Sequence, residues 1–397
     1  MLPVLSGVRI LDLSHMLAGP YGTQLLSDLG AEVIKIERPD GGDGTRGMGQ
    51  YEMKGAKAFF LSVNRGKKSL TLDLKEKKGK EIFYELVKKS DVVYANFRVG
   101  VLEKLGCDYE TLKKVNPRII SCSISTYGQY GPYRDRPGFD LLVQALSGGM
   151  SVTGEVGGAP VRAGIPIGDV NGGIMAAYAV AAALYSREKT GVGQRIDISL
   201  LDAQVSQLIY VAQYYLAGSP VPGPVGSGHY SMVPYQAFAT KDIYIVVAAG
   251  HYQHFWEKLA QALGDEQLMT DPRFATPAKR LKNREVLLSI LQEIFLTKTG
   301  DEWVELLVKA GVPCAPVNTM DRVIKDPQVL ARDMLVEIDH PARGKTQYLG
   351  NPVKMPEMSE ELSLAPPDLG EHTEEILGEL LGYSPEQINE LRREGLV

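Results

Sequence analysis

Residues 8–38 read VRILDLSHMLAGPYGTQLLSDLGAEVIKIER, and this stretch decides the fold class. VRILDLS is a short apolar run with β-branched members, which reads as a buried strand. AGPYGTQLLSDLGA follows as a helix entered through Gly19 and Pro20, and EVIKIERP returns to strand. The alternation continues through KSLTLDL, the helical KEKKGKEIFYELVKKS, the strand DVVYANF, a helical VLEKLGCDYETLKKV and the strand in RIISCSIS. Strands alternating with helices predict a parallel sheet with helices on both faces, so the N-terminal part is expected to be a doubly wound, Rossmann-like α/β domain.

The chain has 397 residues, too many for one ordinary core, and a second domain is expected. Residues 163–191, AGIPIGDVNGGIMAAYAVAAALYSREKTG, give a long helix of small and apolar residues. At helical spacing Ile174, Ala177, Tyr178, Ala181, Leu184 and Tyr185 share one face, predicted to be the packed one. GQRIDISLLDAQVSQLIYVAQYYLAG then reads as a strand leading into a long helix. After Gly218 the texture changes to SPVPGPVGSGHYSMVP, a proline- and glycine-rich loop. YQAFATKDIYIVVAAG predicts a β-hairpin, followed by helical segments in HYQHFWEKLAQALG, REVLLSILQEIFL and GDEWVELLVKAG. The remainder offers a strand in MLVEIDHP, an extended LGNPVKMPEMSE and a helix pair around TEEILGELLGYSPEQINELRREG. The expected division is 1–200 for the large domain, 201–224 as linker, 225–330 as a smaller α+β domain, and 331–397 returning to the large domain.

A net charge of -5 argues against nucleic acid as the main partner. No signal peptide is read at the N-terminus, and no apolar run is read as a bilayer span, so a cytoplasmic protein without membrane attachment is expected. The cysteines Cys107, Cys122 and Cys314 have no metal or redox spacing. Cys122, inside an apolar strand, reads as a core thiol. G-x-G-x-x-G is missing from the first strand–helix turn and H-E-x-x-H from the whole chain, so a nicotinamide oxidoreductase and a zinc hydrolase are disfavoured and no metal is expected. His251 and His254 read as a polar helix face, and Ser227 in GSG lies in a loop rather than on a nucleophile elbow.

Asp169 stands at the mouth of the small-residue helix. Spacing alone leaves two readings open: a helix N-cap, or an acid kept ionised by amide donors and the helix dipole and therefore able to act as a nucleophile. Basic residues gather at the ends of early strands: Arg38, Arg46, Arg65, Lys67 and Lys68. Together they are able to collect phosphate oxygens at one sheet edge, which suggests a phosphate-rich ligand such as coenzyme A.

The blocks GVRILDLSHMLAGPYGTQLLSDLGAEVIKIERPDGGDGTR, NRGKKSLTLDLK, DVVYANFRVGVLEKLG, RIISCSISTYGQYGPY, REKTGVGQRIDISLLDA and PPDLGEHTEEILGELLGYS resemble, in order, the class III CoA-transferase family. That family includes formyl-CoA and carnitine CoA-transferases and the α-methylacyl-CoA racemases. The resemblance implies that Asp169, in the pair Gly168-Asp169, is the catalytic nucleophile. It forms an aspartyl anhydride and then an aspartyl-CoA thioester as CoA passes from an acyl-CoA donor to a carboxylic acid, with no metal and no permanently bound cofactor. Racemases of the family use a histidine in a G-H-D motif, matched here by Gly138, Phe139 and Asp140, and phenylalanine carries no proton. Transfer is therefore preferred to racemisation, with a non-catalytic acyl-CoA-binding protein as a further alternative. The resemblance places Arg38 near adenine and phosphates, Asn96, Phe97 and Lys104 on CoA, and Met16 and Leu17 near the thioester. His15 is read as a loop residue, and Asp140 as a residue that positions the acyl group or a structural acid. Gly226, Gly228 and His229 loosely match a glycine-rich loop that covers the site in relatives. Family members form an interlocked homodimer, and succinyl-CoA is a donor by family habit.

Overall fold

The computed structural model describes residues 3–357 and 364–397. The extended reading of LGNPVKMPEMSE ends in residues 358–360, which lie outside the described residues. The chain forms two units: one of residues up to Gly149, Arg162–Tyr214 and from Leu330 onward, the other of Met150–Val161 and Tyr215–Val329.

The first unit is built on six parallel strands: β1 (Arg9–Asp12), β2 (Glu32–Glu37), β3 (Lys67–Thr71), β4 (Val92–Ala95), β5 (Ile120–Ser125) and β6 (Arg195–Ser199). Their order is β3-β2-β1-β4-β5-β6. Successive side chains leave opposite faces, and both faces are covered. Leu11, Ile34, Leu70 and Val93 join one core with Phe83, Leu86 and the C-terminal residues Leu377 and Leu391. Ile10, Val33, Val92, Ile120 and Cys122 join the other. Burial on both sides explains the nearly continuous apolar strands of the sequence.

On the second face lie α1 (Ala18–Asp28), α2 (Asp140–Leu146) and α3 (Ile167–Thr190). α1 and α3 meet almost backbone to backbone. A Cβ on Gly22 would stand 2.8 Å from the Gly173 carbonyl oxygen, and one on Gly173 2.6 Å from that of Ala18. The packed face of α3 is Gly172, Gly173, Ala176, Ala177, Val180, Ala183 and Leu184. Ile174, Tyr178 and Tyr185, expected on that face, are exposed at 40%, 72% and 66%. Hydrophobicity misled the periodicity here, because close helix contact selects small residues rather than large apolar ones. α3 is also long and apolar enough to cross a membrane by length and composition, contrary to the sequence reading. Its glycine and alanine face is buried on α1 and the sheet.

The single long helix expected after β6 is two, α4 (Leu200–Ser206) and α5 (Ile209–Leu216), so much of the expected 201–224 linker is helical. The break falls at Gln207–Leu208, and Ile209 has φ +40°. VLEKLGCDYETLKKV is likewise two short helices, Val101–Leu105 and Tyr109–Val115, parted at Gly106. The C-terminal part contributes an antiparallel hairpin, Leu335–His340 with Gly344–Leu349, and the helix Pro385–Arg393. In the second unit β7 (Tyr235–Ala239) pairs with β8 (Tyr244–Ala248) as the predicted hairpin, and β9 (Cys314–Pro316) completes the sheet. Its core gathers Trp256, Phe274, Leu291, Phe295 and Trp303.

Inside the first unit lies a cluster of buried charges. Asp12 at the end of β1 pairs with Lys67 of β3 at 3.0 Å, and Lys35 of β2 pairs with Asp43 at 3.0 Å. Burial pushes the Asp12 carboxyl up, but Lys67, Lys35 and the Ser14 and Thr23 hydroxyls outweigh it and hold the group at about 2. Removing one partner leaves an uncompensated buried charge. Lys67→Met is therefore expected to cost about 3–5 kcal/mol of stability, read as a lower urea midpoint by circular dichroism, with part recovered in Asp12→Asn/Lys67→Met.

Candidate active site

In an open parallel sheet of this order, ligands bind beyond the carboxyl ends of the strands where the winding reverses, here between β1 and β4. Two adjoining pockets open there. One is lined by His15–Ala18 after β1, Asn96–Val99 after β4, Ser125–Tyr127 at the end of β5, and by Arg134, Arg136, Phe139, Asp169 and Leu200. The other is lined by Leu13–His15, Glu37 and Arg38 at the end of β2, Leu72–Lys75 after β3, Asp43, Phe97 and Leu105. His15 and Phe97 border both.

The β1–α1 turn is fixed by side chains. Asp12 accepts from the Ser14 N–H at 2.9 Å, and Lys35 Nζ donates to the Ser14 carbonyl at 2.7 Å. Asn96 accepts from the His15 N–H at 2.9 Å and donates Nδ2–H to the His15 carbonyl at 2.7 Å. Asp43 accepts from the Met16 N–H at 3.3 Å, and Met16 takes the left-handed conformation, φ +69°. Asn96 thus clamps the pocket wall as well as bordering the pocket. Burial holds the His15 imidazole below its usual value.

Asp169 lies in the first turn of α3, two residues after its first, and its N-cap position is Pro166. The N-cap reading is thereby corrected. The capping acid is Asp140 of α2, whose Oδ1 accepts from the N–H groups of Gly168 at 2.8 Å and Asp169 at 3.3 Å. Asp140 does not line the pocket. The Asp169 carboxylate borders it, and no hydrogen bond to that carboxylate occurs among the described residues. Burial, and then the Asp140 charge, push Asp169 up to about 7. This runs against the expectation that the helix terminus keeps it charged, because the amide donors serve Asp140.

The phosphate-gathering set is also corrected. Arg46 forms a bidentate pair with Glu37, Arg65 pairs with Asp28, Lys67 with Asp12, and Lys68 with Glu32 and Glu375. Arg38 alone of the five is exposed without an acidic partner among the described residues, its Nε–H donating to the Gly42 carbonyl at 3.1 Å. Met16, Leu17, Asn96, Phe97 and Phe139 come together with Asp169, whereas Arg38 lies in the adjoining pocket. Lys104 is exposed on Val101–Leu105 and borders neither pocket. Gly226, Gly228 and His229 lie in the second unit. There the Gly226 N–H donates to the Gly154 carbonyl at 2.9 Å, and the His229 carbonyl accepts from Arg284. Sequence reading missed Leu72–Lys75, Arg98, Arg134 and Arg136 as lining residues. The signal available was their place after strand ends, obscured for Lys75 by the lysine-rich run that reads as a helix.

Cys107 and Cys122 are buried, and burial pushes both thiols up, Cys107 to about 12. Ser227 Oγ accepts the Ala237 N–H at 3.1 Å, while His251 and His254 flank the Tyr252 ring. Among the described residues one trio, His340, Asp368 and Glu371, brings three possible metal-donor atoms within 4.8 Å of one another, and Arg343 bonds both His340 and Asp368.

A family model described as CoA-transferase family III matches residues 5–373. The chain is 42% identical to the succinyl-CoA:glutarate CoA-transferase of Homo sapiens over 393 residues, 99% of this chain and 90% of that one. It is 35% identical to the formyl-CoA:oxalate CoA-transferase of Bradyrhizobium diazoefficiens over 420 residues, 100% of this chain and 97% of that one. The solved structure of a CAIB/BAIF family protein from Brucella suis superposes with a TM-score of 0.86 at 38% identity, covering 96% of this chain and 100% of that one.

An acid raised from 3.8 to about 7 favours folding while protonated, and that advantage is lost as pH rises through the folded value. Asp169→Asn is accordingly expected to be more stable than the parent above pH 7, by about 2–4 kcal/mol. The difference should vanish below about pH 4, as measured by thermal unfolding across pH.

Proposed function

The chain belongs to CoA-transferase family III, which moves CoA between an acyl-CoA and a carboxylic acid, and on that premise we propose that Asp169 carries the acyl group and then the CoA. The observation that supports this is the Asp169 carboxylate itself: at the pocket, with no hydrogen bond to be broken before it attacks. One Asp169 oxygen adds to the thioester carbonyl of the donor, and the C–S bond breaks to give a mixed anhydride and CoA thiolate. Thiolate attacks the aspartyl carbonyl carbon, the anhydride C–O bond breaks, and the donor acid leaves as its carboxylate. An acceptor carboxylate then attacks the aspartyl-CoA thioester, expelling thiolate and forming a second anhydride. Thiolate attacks the acceptor's acyl carbon, releasing the new acyl-CoA and the Asp169 carboxylate.

The two adjoining pockets suit the two ends of an acyl-CoA. Arg38 and Lys75, at one mouth, are offered to the nucleotide phosphates, and the thioester reaches Asp169 past His15 and Phe97. A raised Asp169 also makes the more basic, hence stronger, carboxylate nucleophile once ionised. Phe139 lines the pocket where a racemase of the family would hold its histidine, which disfavours the two-base alternative. Likeness to the human succinyl-CoA:glutarate enzyme supports succinyl-CoA as donor and a dicarboxylic acid as acceptor. The exposed apolar residues Ile174 and Tyr178 of α3, with Ile209, Tyr210 and Tyr214 of α5, are the surface on which we place the expected homodimer.

Incubation with succinyl-CoA and quenching with hydroxylamine is expected to leave a hydroxamate on Asp169, seen by peptide mass spectrometry and lost in Asp169→Asn. Solvent deuterium entering the α-position of an acyl-CoA without an adduct would instead favour the racemase. Arg38→Ala is expected to raise the acyl-CoA KM about tenfold, the loss of about 1.4 kcal/mol from one charge-assisted contact, with little change in stability.

A further inference from the structure

We propose that Asp140 is a positioning residue for Asp169: by holding the first turn of α3 through its amides, it leaves the nucleophile's own carboxylate uncapped and turned to the pocket. The inference rests on the reading of Asp169 as the nucleophile.

An acid at the third position of a helix ordinarily reaches back to the N-cap backbone N–H, or draws on the free amides of the first turn. Here Pro166 is the N-cap and has no N–H to offer. The four amides that follow all have other acceptors. Ile167 donates to the Ile165 carbonyl at 2.8 Å, and Val170 to that of Pro166 at 3.0 Å. Gly168 and Asp169 donate to Asp140 Oδ1. Nothing in the first turn remains for the Asp169 carboxylate.

Asp140 is itself fixed. Its Oδ2 accepts from Gln144 Nε2 at 2.7 Å, and Gln144 Oε1 accepts the Ala163 N–H, at 2.8 Å, from the segment that enters α3. Gly168 permits the approach of α2, since a Cβ there would lie 3.0 Å from Asp140 Oδ1 and 3.2 Å from Val143 Cγ1. Three N–H groups therefore converge on Asp140, the arrangement an anion takes at a helix N-terminus. The ionisable groups around the pocket are His15, Arg98, Tyr127, Arg134, Asp135 and Arg136. Asp140, standing behind the turn, is the charged neighbour that adds to burial in making Asp169 more basic.

The test is the rate of hydroxylamine-trapped adduct formation on Asp169 against pH, with succinyl-CoA, in the parent, Asp140→Asn and Asp140→Ala. Asparagine keeps an acceptor oxygen for the two amides and removes the charge. Its adduct should form at near-parental maximal rate, with the pH midpoint moved down by about one unit from near 7. Alanine removes the charge and the acceptor together, so its midpoint should move down as with asparagine while its maximal rate falls about tenfold to a hundredfold, with acyl-CoA affinity within about twofold. Parental pH midpoints and rates in both variants would overturn the proposal. So would an effect confined to the succinyl-CoA concentration giving half-maximal rate, which would make Asp140 a substrate contact. If Asp140→Ala does not fold, the pH shift of Asp140→Asn decides. A parent that forms no adduct at all overturns the nucleophile reading instead, a result distinguishable because it precedes any comparison of variants.

Discussion

The pairing of Asp12 with Lys67, and of Lys35 with Asp43, is the constraint from which the pocket wall follows. Isolated charges cannot be left in a dry interior, so each has to be met by geometry that holds the surrounding backbone. Asp12 gathers Ser14, Thr23 and Lys67, while Lys35 gathers Ser14 and Asp43, and Asp43 reaches Met16. The turn from β1 to α1 is thereby fixed at several points. A dinucleotide fold commonly makes this turn tight with glycines. Here buried polar side chains do that task, and they sustain a methionine at positive φ that costs of order 1 kcal/mol or more.

A second economy of charge operates at α3. Its N-terminus attracts an anion, and two acids are within reach of it. The structure gives the amides to Asp140 and the pocket to Asp169. One carboxylate becomes part of the scaffold and the other is left poorly solvated, with a higher proton affinity. The same helix end thus serves a purpose opposite to the simple dipole argument, in which proximity to the terminus would make Asp169 the more acidic of the pair.

The strand–helix alternation made the parallel sheet legible in sequence, because strands buried on both faces leave continuous apolar runs. The hairpin Tyr235–Ala248 was legible for a related reason, two β-rich runs around a polar turn. The packed face of α3 was not. Tyr178 and Tyr185 carry far more apolar area than glycine or alanine, yet only glycine fits where Gly22 and Gly173 meet. At the site, Asp169 and the Asn96–Phe97 pair were identified by resemblance, and the structure sets them at one pocket. The roles of Arg65, Lys67 and Lys68 were illegible because their acidic partners lie far along the chain or on a neighbouring strand, as Glu375 does for Lys68, and that of Arg46 because the turn that brings it back to Glu37 is not encoded in spacing. Asp140 was visible only as part of a motif. Its contact with the α3 amides depends on the packing of two helices, which spacing along the chain does not encode.

The buried cysteines have a bearing on a protein that handles a thiol. Coenzyme A disulfide exchanges with any accessible protein thiolate, which attacks one sulfur and expels CoA thiolate. Cys107 and Cys122 have neither attribute, being buried within the first unit and pushed toward the neutral thiol. Mixed disulfides with the substrate's own sulfur are therefore blocked at these two positions both sterically and by the scarcity of the reactive anion. The fold can tolerate high local concentrations of CoA thiol and its oxidised forms without these core cysteines becoming a route to inactivation.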